Sequence, residues 1–156
     1  MSNLSQKIVA AVDSASAPEL VSAIDGGLRL SLNLIAAGPV GLAFDRLEFE
    51  APDANRTAEN LRAWADKLAA TVTYLMEPLV VLEFDAIAGE IELRSQSPTP
   101  RGQLKSYYEV RLTKSGTMTL SRISYDTTTR RRSMTACQVT REVLERLVDD
   151  IVACAQ

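Results

Sequence analysis

The sequence predicts an α+β fold built on a mostly antiparallel sheet, with about six or seven strands. Three observations carry this. Apolar residues alternate with polar ones in several short runs, short turn signals separate most of those runs, and two longer segments carry apolar residues at helical spacing instead. At 156 residues the chain is sized for one domain, 1–156. A chain of this length buries roughly 68–70% of its unfolded surface, so it needs no disulfide or metal for stability.

Leu4, Ile8, Val9 and Val12 recur at helical spacing and predict a short amphipathic helix over 2–12. Pro18, at a position where a first turn accepts proline, followed by Leu20, Val21 and Ile24, predicts a second short helix closed by Gly26-Gly27. Leu28, Leu30, Leu32 and Leu34 then alternate with Arg29, Ser31 and Asn33, which is the period of a half-buried strand. Ala37-Gly38-Pro39 breaks it, and a second strand over 40–50 with Leu47 and Phe49 inward completes a hairpin.

A polar loop over 52–57 leads into the longest apolar row in the chain: Leu61, Trp64, Leu68, Val72 and Leu75. It predicts a long helix over 58–76, stopped by Pro78, with Trp64 as its core anchor. Leu82, Phe84 and Ala86, then Ile91 and Leu93, predict two strands turning at Ala88-Gly89.

Residues 95–102 read as a loop. Tyr108, Val110 and Leu112 predict the next strand, Lys114-Ser115-Gly116 its turn, and Met118 with Leu120 the strand after it. Ile123 and Tyr125 have the opposite parity, which predicts a bulge near Ser121-Arg122. A weak strand over 129–135 precedes a C-terminal helix over 140–154, N-capped by Thr140. The helices over 58–76 and 140–154 are expected to pack on one face of the sheet.

Composition narrows the chemistry. The chain has no histidine, which removes Ser-His-Asp and Cys-His catalysis and any imidazole-based zinc site from its own residues. Cys137 and Cys154 are its two cysteines, and ~14 helical residues between them make a bridge geometrically implausible. Cys154 continues the row Leu144, Leu147, Ile151 and reads as a buried small apolar residue. No Walker A, G-x-G-x-x-G, EF-hand or G-x-S-x-G pattern occurs, and no cofactor is expected. No apolar run approaches the ~20 residues of a membrane span, and the N-terminal residues lack a signal-peptide pattern, so a cytoplasmic location without membrane contact is expected.

Charge is uneven. Residues 1–96 hold seven Lys/Arg against 14 Asp/Glu, a net of −7, whereas residues 97–136 hold eight against two, a net of +6. The basic candidates are Arg101, Lys105, Arg111, Arg122, Arg130, Arg131 and Arg132. Tyr107 and Tyr125 are interleaved with them as stacking candidates for a polyanion. The alternative is cross-strand pairing with the Glu-rich strands, Arg94 and Arg111 lying opposite Glu109 and Glu92. Arg130-Arg131-Arg132 beside an edge strand also serves to block edge-to-edge pairing.

The pairs Glu48/Glu50, Glu83/Asp85 and Glu90/Glu92 each share a strand face. They leave room for a histidine-free carboxylate- or metal-dependent enzyme. Helices bracketing a curved antiparallel sheet in a small acidic protein are similar, at fold level, to bacterial secretion chaperones. That resemblance implies an adaptor- or chaperone-like role. The leading expectation is thus a non-enzymatic, homodimeric protein-interaction module. Polyanion binding through 101–132 and carboxylate or metal catalysis are the alternatives.

Overall fold

The computed structural model describes residues 3–51, 56–96 and 98–155. Helix α1 spans Asn3–Ser14, followed by strands β1 (Glu19–Asp25), β2 (Leu28–Ala37) and β3 (Gly41–Glu50). Helix α2 (Ala58–Thr71) precedes β4 (Leu79–Asp85), β5 (Glu90–Ser95), β6 (Thr99–Arg101), β7 (Leu104–Thr113) and β8 (Thr117–Asp126). The short β9 (Arg132–Thr135) and β10 (Cys137–Thr140) lead into α3 (Arg141–Cys154). All pairings are antiparallel, and the sheet runs β1-β2-β3-β8-β7-β5-β4.

The alternating leucines behave as their period requires. Leu30, Leu32 and Leu34 are buried on the helix-covered face with Leu42, Phe44, Leu47 and Phe49 of β3, and polar neighbours point the other way. Helix α1 packs on β1 and β2, α2 packs on β4, β5 and β7, and α3 touches both helices. The core lies between the three described helices and one face of the sheet, and no described helix covers the opposite face.

Helix α2 starts at a capping box. Thr57 Oγ1 accepts from Asn60 N at 3.1 Å, and Thr57 N donates to Asn60 Oδ1 at 3.4 Å. Helix α3 starts on Thr140, whose hydroxyl accepts from Val143 N at 3.1 Å. Trp64 is fully buried in the core, as its place in the apolar row predicts.

Four expectations are corrected. The segment after Pro18 is strand β1, not a second helix. Gly26 and Gly27 both have positive φ (55° and 88°), forming a two-residue turn that folds 19–25 back onto β2 as a hairpin. In that arrangement Val21 and Ala23 are buried while Leu20 and Ile24 point outward, so pairing with β2 overrides the helical spacing.

The long helix stops at Thr71, well short of Pro78. The β-branched run Thr71-Val72-Thr73 ends it, and Val72 and Leu75 reach the core from irregular chain. Among the described residues the sheet has ten strands. The three not expected are β1, β6 within the 95–102 segment read as a loop, and β10. No bulge interrupts β8, whose register with β7 is continuous from Leu104/Asp126 to Leu112/Met118. The predicted loop over 52–57 lies mostly outside the described residues.

The centre of the sheet forks. Residues 46–50 of β3 pair with 117–121 of β8. Beyond that point β8 takes β9 as its neighbour and β3 takes β10. The segment 132–140 therefore runs down one arm of the fork and back up the other, with Ala136 at the turn between them.

Candidate interaction surfaces

The register of β5, β7 and β8 decides where the basic strip points. On the open face Arg111 lies opposite Glu92 and Arg94 opposite Glu109, the cross-strand pairing that alternation of charge along two strands allows. Arg111 Nη2 is 2.8 Å from Glu92 Oε1, and Arg94 Nη2 is 3.0 Å from Glu92 Oε2. Glu109 lies 3.4 Å from Arg132, 3.7 Å from Arg111 and 3.8 Å from Arg94.

Partial burial, with Glu109 beside it, raises the Glu92 carboxyl above its ordinary value despite the two guanidiniums. Tyr107 is buried against this network, with Arg94 4.9 Å and Arg132 5.8 Å from its ring centroid. Arg111, Arg132 and Tyr107 therefore belong to a charge-compensated patch, and Tyr107 offers no free ring for stacking.

Arg122 has a different environment. Because β8 keeps its register, Arg122 shares the helix-covered face with Met118 and Leu120, opposite Tyr108. Its guanidinium makes a two-pronged pair with Glu77, Nη1 to Oε1 at 3.1 Å and Nη2 to Oε2 at 3.2 Å, and stacks 4.5 Å from the Tyr108 ring. Ser95 Oγ donates to Glu77 Oε1 at 3.1 Å, and Thr99 Oγ1 donates to Oε2. Ser95 Oγ in turn accepts from Tyr108 N at 2.7 Å.

Burial pushes the Glu77 carboxyl upward, but the hydrogen bonds and charge of Arg122, with those of Thr99 and Ser95, outweigh it. The carboxyl stays below its ordinary value. Nothing in the local sequence marks Glu77, which sits between the end of α2 and Pro78 with no periodic signal. Burial likewise raises the Tyr108 hydroxyl and the thiol of neighbouring Cys137, each to about 12. Both cysteines are free and buried.

Four cations of the strip remain. Arg101, Lys105, Arg130 and Arg131 are exposed and have no ion pair among the described residues. They stand at one end of the sheet, where the β6–β7 and β8–β9 turns meet. Thr127 N donates to Gln103 O at 2.9 Å, and Arg130, at φ 60°, follows a turn built on Asp126. Tyr125 is half-buried there, opposite Lys105 on one side and Arg132 on the other. The structure thus divides the nine candidate residues into a paired patch, a buried pair and a basic end.

The carboxylate pairs do not assemble into a further centre. Glu90 and Glu92 lie against Arg111, Glu48 lies 2.9 Å from Arg46, and no group of three Cys, Asp or Glu is placed to hold a metal ion among the described residues. No described helix is long and apolar enough to cross a membrane.

A surface that charge counting missed lies at the far edge of the sheet. Strand β1 exposes Leu20 (65%) and Ile24 (61%), and β4 at the other edge exposes Leu82 (52%). The signal was present as the apolar residues 20, 21 and 24, but reading them as a helix placed all three on one face.

Comparison with protein-family models, with curated proteins and with solved structures finds no match.

Proposed function

We propose that this chain is a non-enzymatic interaction module that works as a homodimer and uses its uncovered sheet surface, adaptor- or chaperone-like, to hold a protein partner. The observation that carries this reading is the pair of sheet edges with exposed apolar side chains, Leu20 and Ile24 on β1 and Leu82 on β4. An open edge with apolar neighbours favours addition of another strand. Carboxylate catalysis draws no support from the sheet, because the clustered Glu90, Glu92 and Glu109 are engaged by arginines. Sedimentation velocity across a 100-fold range of protein concentration tests the reading. A reversible dimer is expected, and a strict monomer throughout would overturn it.

A second reading is favoured by the basic end. Arg101, Lys105, Arg130 and Arg131 form a cationic surface that the acidic strands leave uncompensated, beside half-buried Tyr125. It suits a polyanion such as single-stranded nucleic acid. Anisotropy of a labelled oligonucleotide should then show salt-dependent binding, with log K falling about 0.7 per phosphate contact for each unit of log salt. Replacing Lys105, Arg130 and Arg131 by Ala should lower that slope by about 2. Equal binding by the triple variant, or none at 20 mM salt, would end this reading.

A further inference from the structure

We infer that the β1 edge is where two copies of this chain join, strand β1 pairing antiparallel with itself about a two-fold axis through Ser22. The inference rests on the homodimeric reading above and names its interface.

Gly26-Gly27 is a two-residue turn closed by Asp25 and Leu28, so hydrogen-bonded pairs with β2 fall at Asp25, Ala23, Val21 and Glu19. The backbone N–H and C=O groups of Ile24, Ser22 and Leu20 therefore point to the open edge. Lys7 Nζ bears out that direction, since it reaches the Ile24 carbonyl at 3.0 Å from α1. The same residues carry the outward side chains on the open face, Leu20, Ser22 and Ile24.

Leu20 and Ile24 are equidistant from Ser22, so a two-fold axis there sets Leu20 of each copy opposite Ile24 of the other, with the two Ser22 residues facing across the axis. On the helix-covered face the same register sets Val21 opposite Ala23. Shifting the axis to Val21 or Ala23 sets an apolar residue opposite Ser22 and loses both matches.

The register brings Glu19 of each copy opposite Asp25 of the other, which by itself is repulsive. Lys7 lies there already, 3.1 Å from Asp25 Oδ1 and half-exposed. When Leu20 N of the second copy takes over the Ile24 carbonyl, Lys7 is left between the two carboxylates and bridges them. As a guard Lys7 covers only one end of the edge; as a bridge it has an acidic partner on each side.

Three sets of variants test this together, each checked by circular dichroism for an unchanged fold. Ile24→Lys and Leu20→Lys change exposed positions, and each should weaken dimerisation about 30-fold or more, as for loss of a central interface contact. Leu82→Lys at the opposite edge should leave it unchanged. Ser22→Cys should form a disulfide-linked dimer under mild oxidation, because the facing Cα atoms of such a pair lie about 5.5 Å apart and both native cysteines are buried. A wild-type monomer removes the dimer itself and this interface with it. A wild-type dimer that survives Ile24→Lys and Leu20→Lys and gives no Ser22→Cys cross-link keeps the dimer but overturns this interface.

Discussion

Glu77→Ala should destabilise the protein by about 3–5 kcal/mol in urea unfolding, the range for removing one partner of a buried ion pair. The Arg122 side chain is 8% exposed and that of Glu77 4%, so both charges are largely withdrawn from water in the folded protein. The substitution also strands the hydroxyls of Ser95 and Thr99, both of which donate to it. Replacing both charges, as in Glu77→Met with Arg122→Met, should cost less than Glu77→Ala alone, because the double change leaves no buried charge unpaired. A double variant as damaged as the single would show that packing, and not charge, dominates here.

The same carboxylate gives a dependence on pH. Folding holds Glu77 below its ordinary value of 4.5, so the native state keeps it ionised after the unfolded chain has taken up a proton. Its contribution to stability is complete above that value and is lost as the pH falls through the lowered folded value. Glu77→Gln should therefore lose less stability between pH 7 and pH 3 than the wild type does.

Trp64→Ala should cost about 3–5 kcal/mol, by the loss of a large fully buried side chain and the cavity that it leaves. Trp64 lies in the core on the buried side of α2 and is 1% exposed. Its ring also lies 4.4 Å from the Arg56 guanidinium, whose Nη2 donates to Ala155 O at 2.7 Å. The indole thereby links the start of α2 to the end of α3. Arg56→Ala, which removes the cation but leaves the ring in place, should cost only about 0.5–2 kcal/mol. Trp64→Phe should be milder than Trp64→Ala, since the indole Nε1 that it removes has no hydrogen-bond partner among the described residues. Equal losses for Trp64→Ala and Arg56→Ala would place the weight on the helix-end contact instead of the cavity.

Much of the fold was legible wherever one periodicity had no competitor. The leucines of β2, the start of α2, the turns at 88–89 and 114–116 and the Thr140 cap all follow local rules that tertiary structure left in force. The pairing of Arg94 with Glu109 and of Arg111 with Glu92 was also legible, because opposite charges alternate with matching period along the two strands.

The failures share a physical cause. Val21 and Ile24 fit a helix until β2 offers the segment a partner, and a sequence window does not contain that offer. The parity change in β8 arises because the open face has an apolar spot of its own, where Ile123 lies opposite Tyr107 on β7 and Met134 on β9. A reading that assigns every apolar residue to one core must invent a bulge there. It then misses that Arg122 lies inside. Glu77 was invisible for the same reason, since its partner is 45 residues away.

The fork at the centre of the sheet has a consequence for how the chain finds its fold. Strands β1 to β3 and β4 to β8 are two ribbons that form mostly through short turns, and the β3–β8 seam is the junction between them. Closing that seam brings together residues such as Leu47 and Leu120, separated by roughly 70 positions, at a loop-closure cost about 2–3 kcal/mol above that of a short hairpin turn. Assembly of the seam, and with it the insertion of 132–140 into the fork, should therefore set the folding rate. In stopped-flow experiments Leu120→Ala should slow refolding, whereas Leu30→Ala within the first ribbon should mainly speed unfolding. On that expectation the five residue pairs of the seam act as a kinetic gate between the two ribbons.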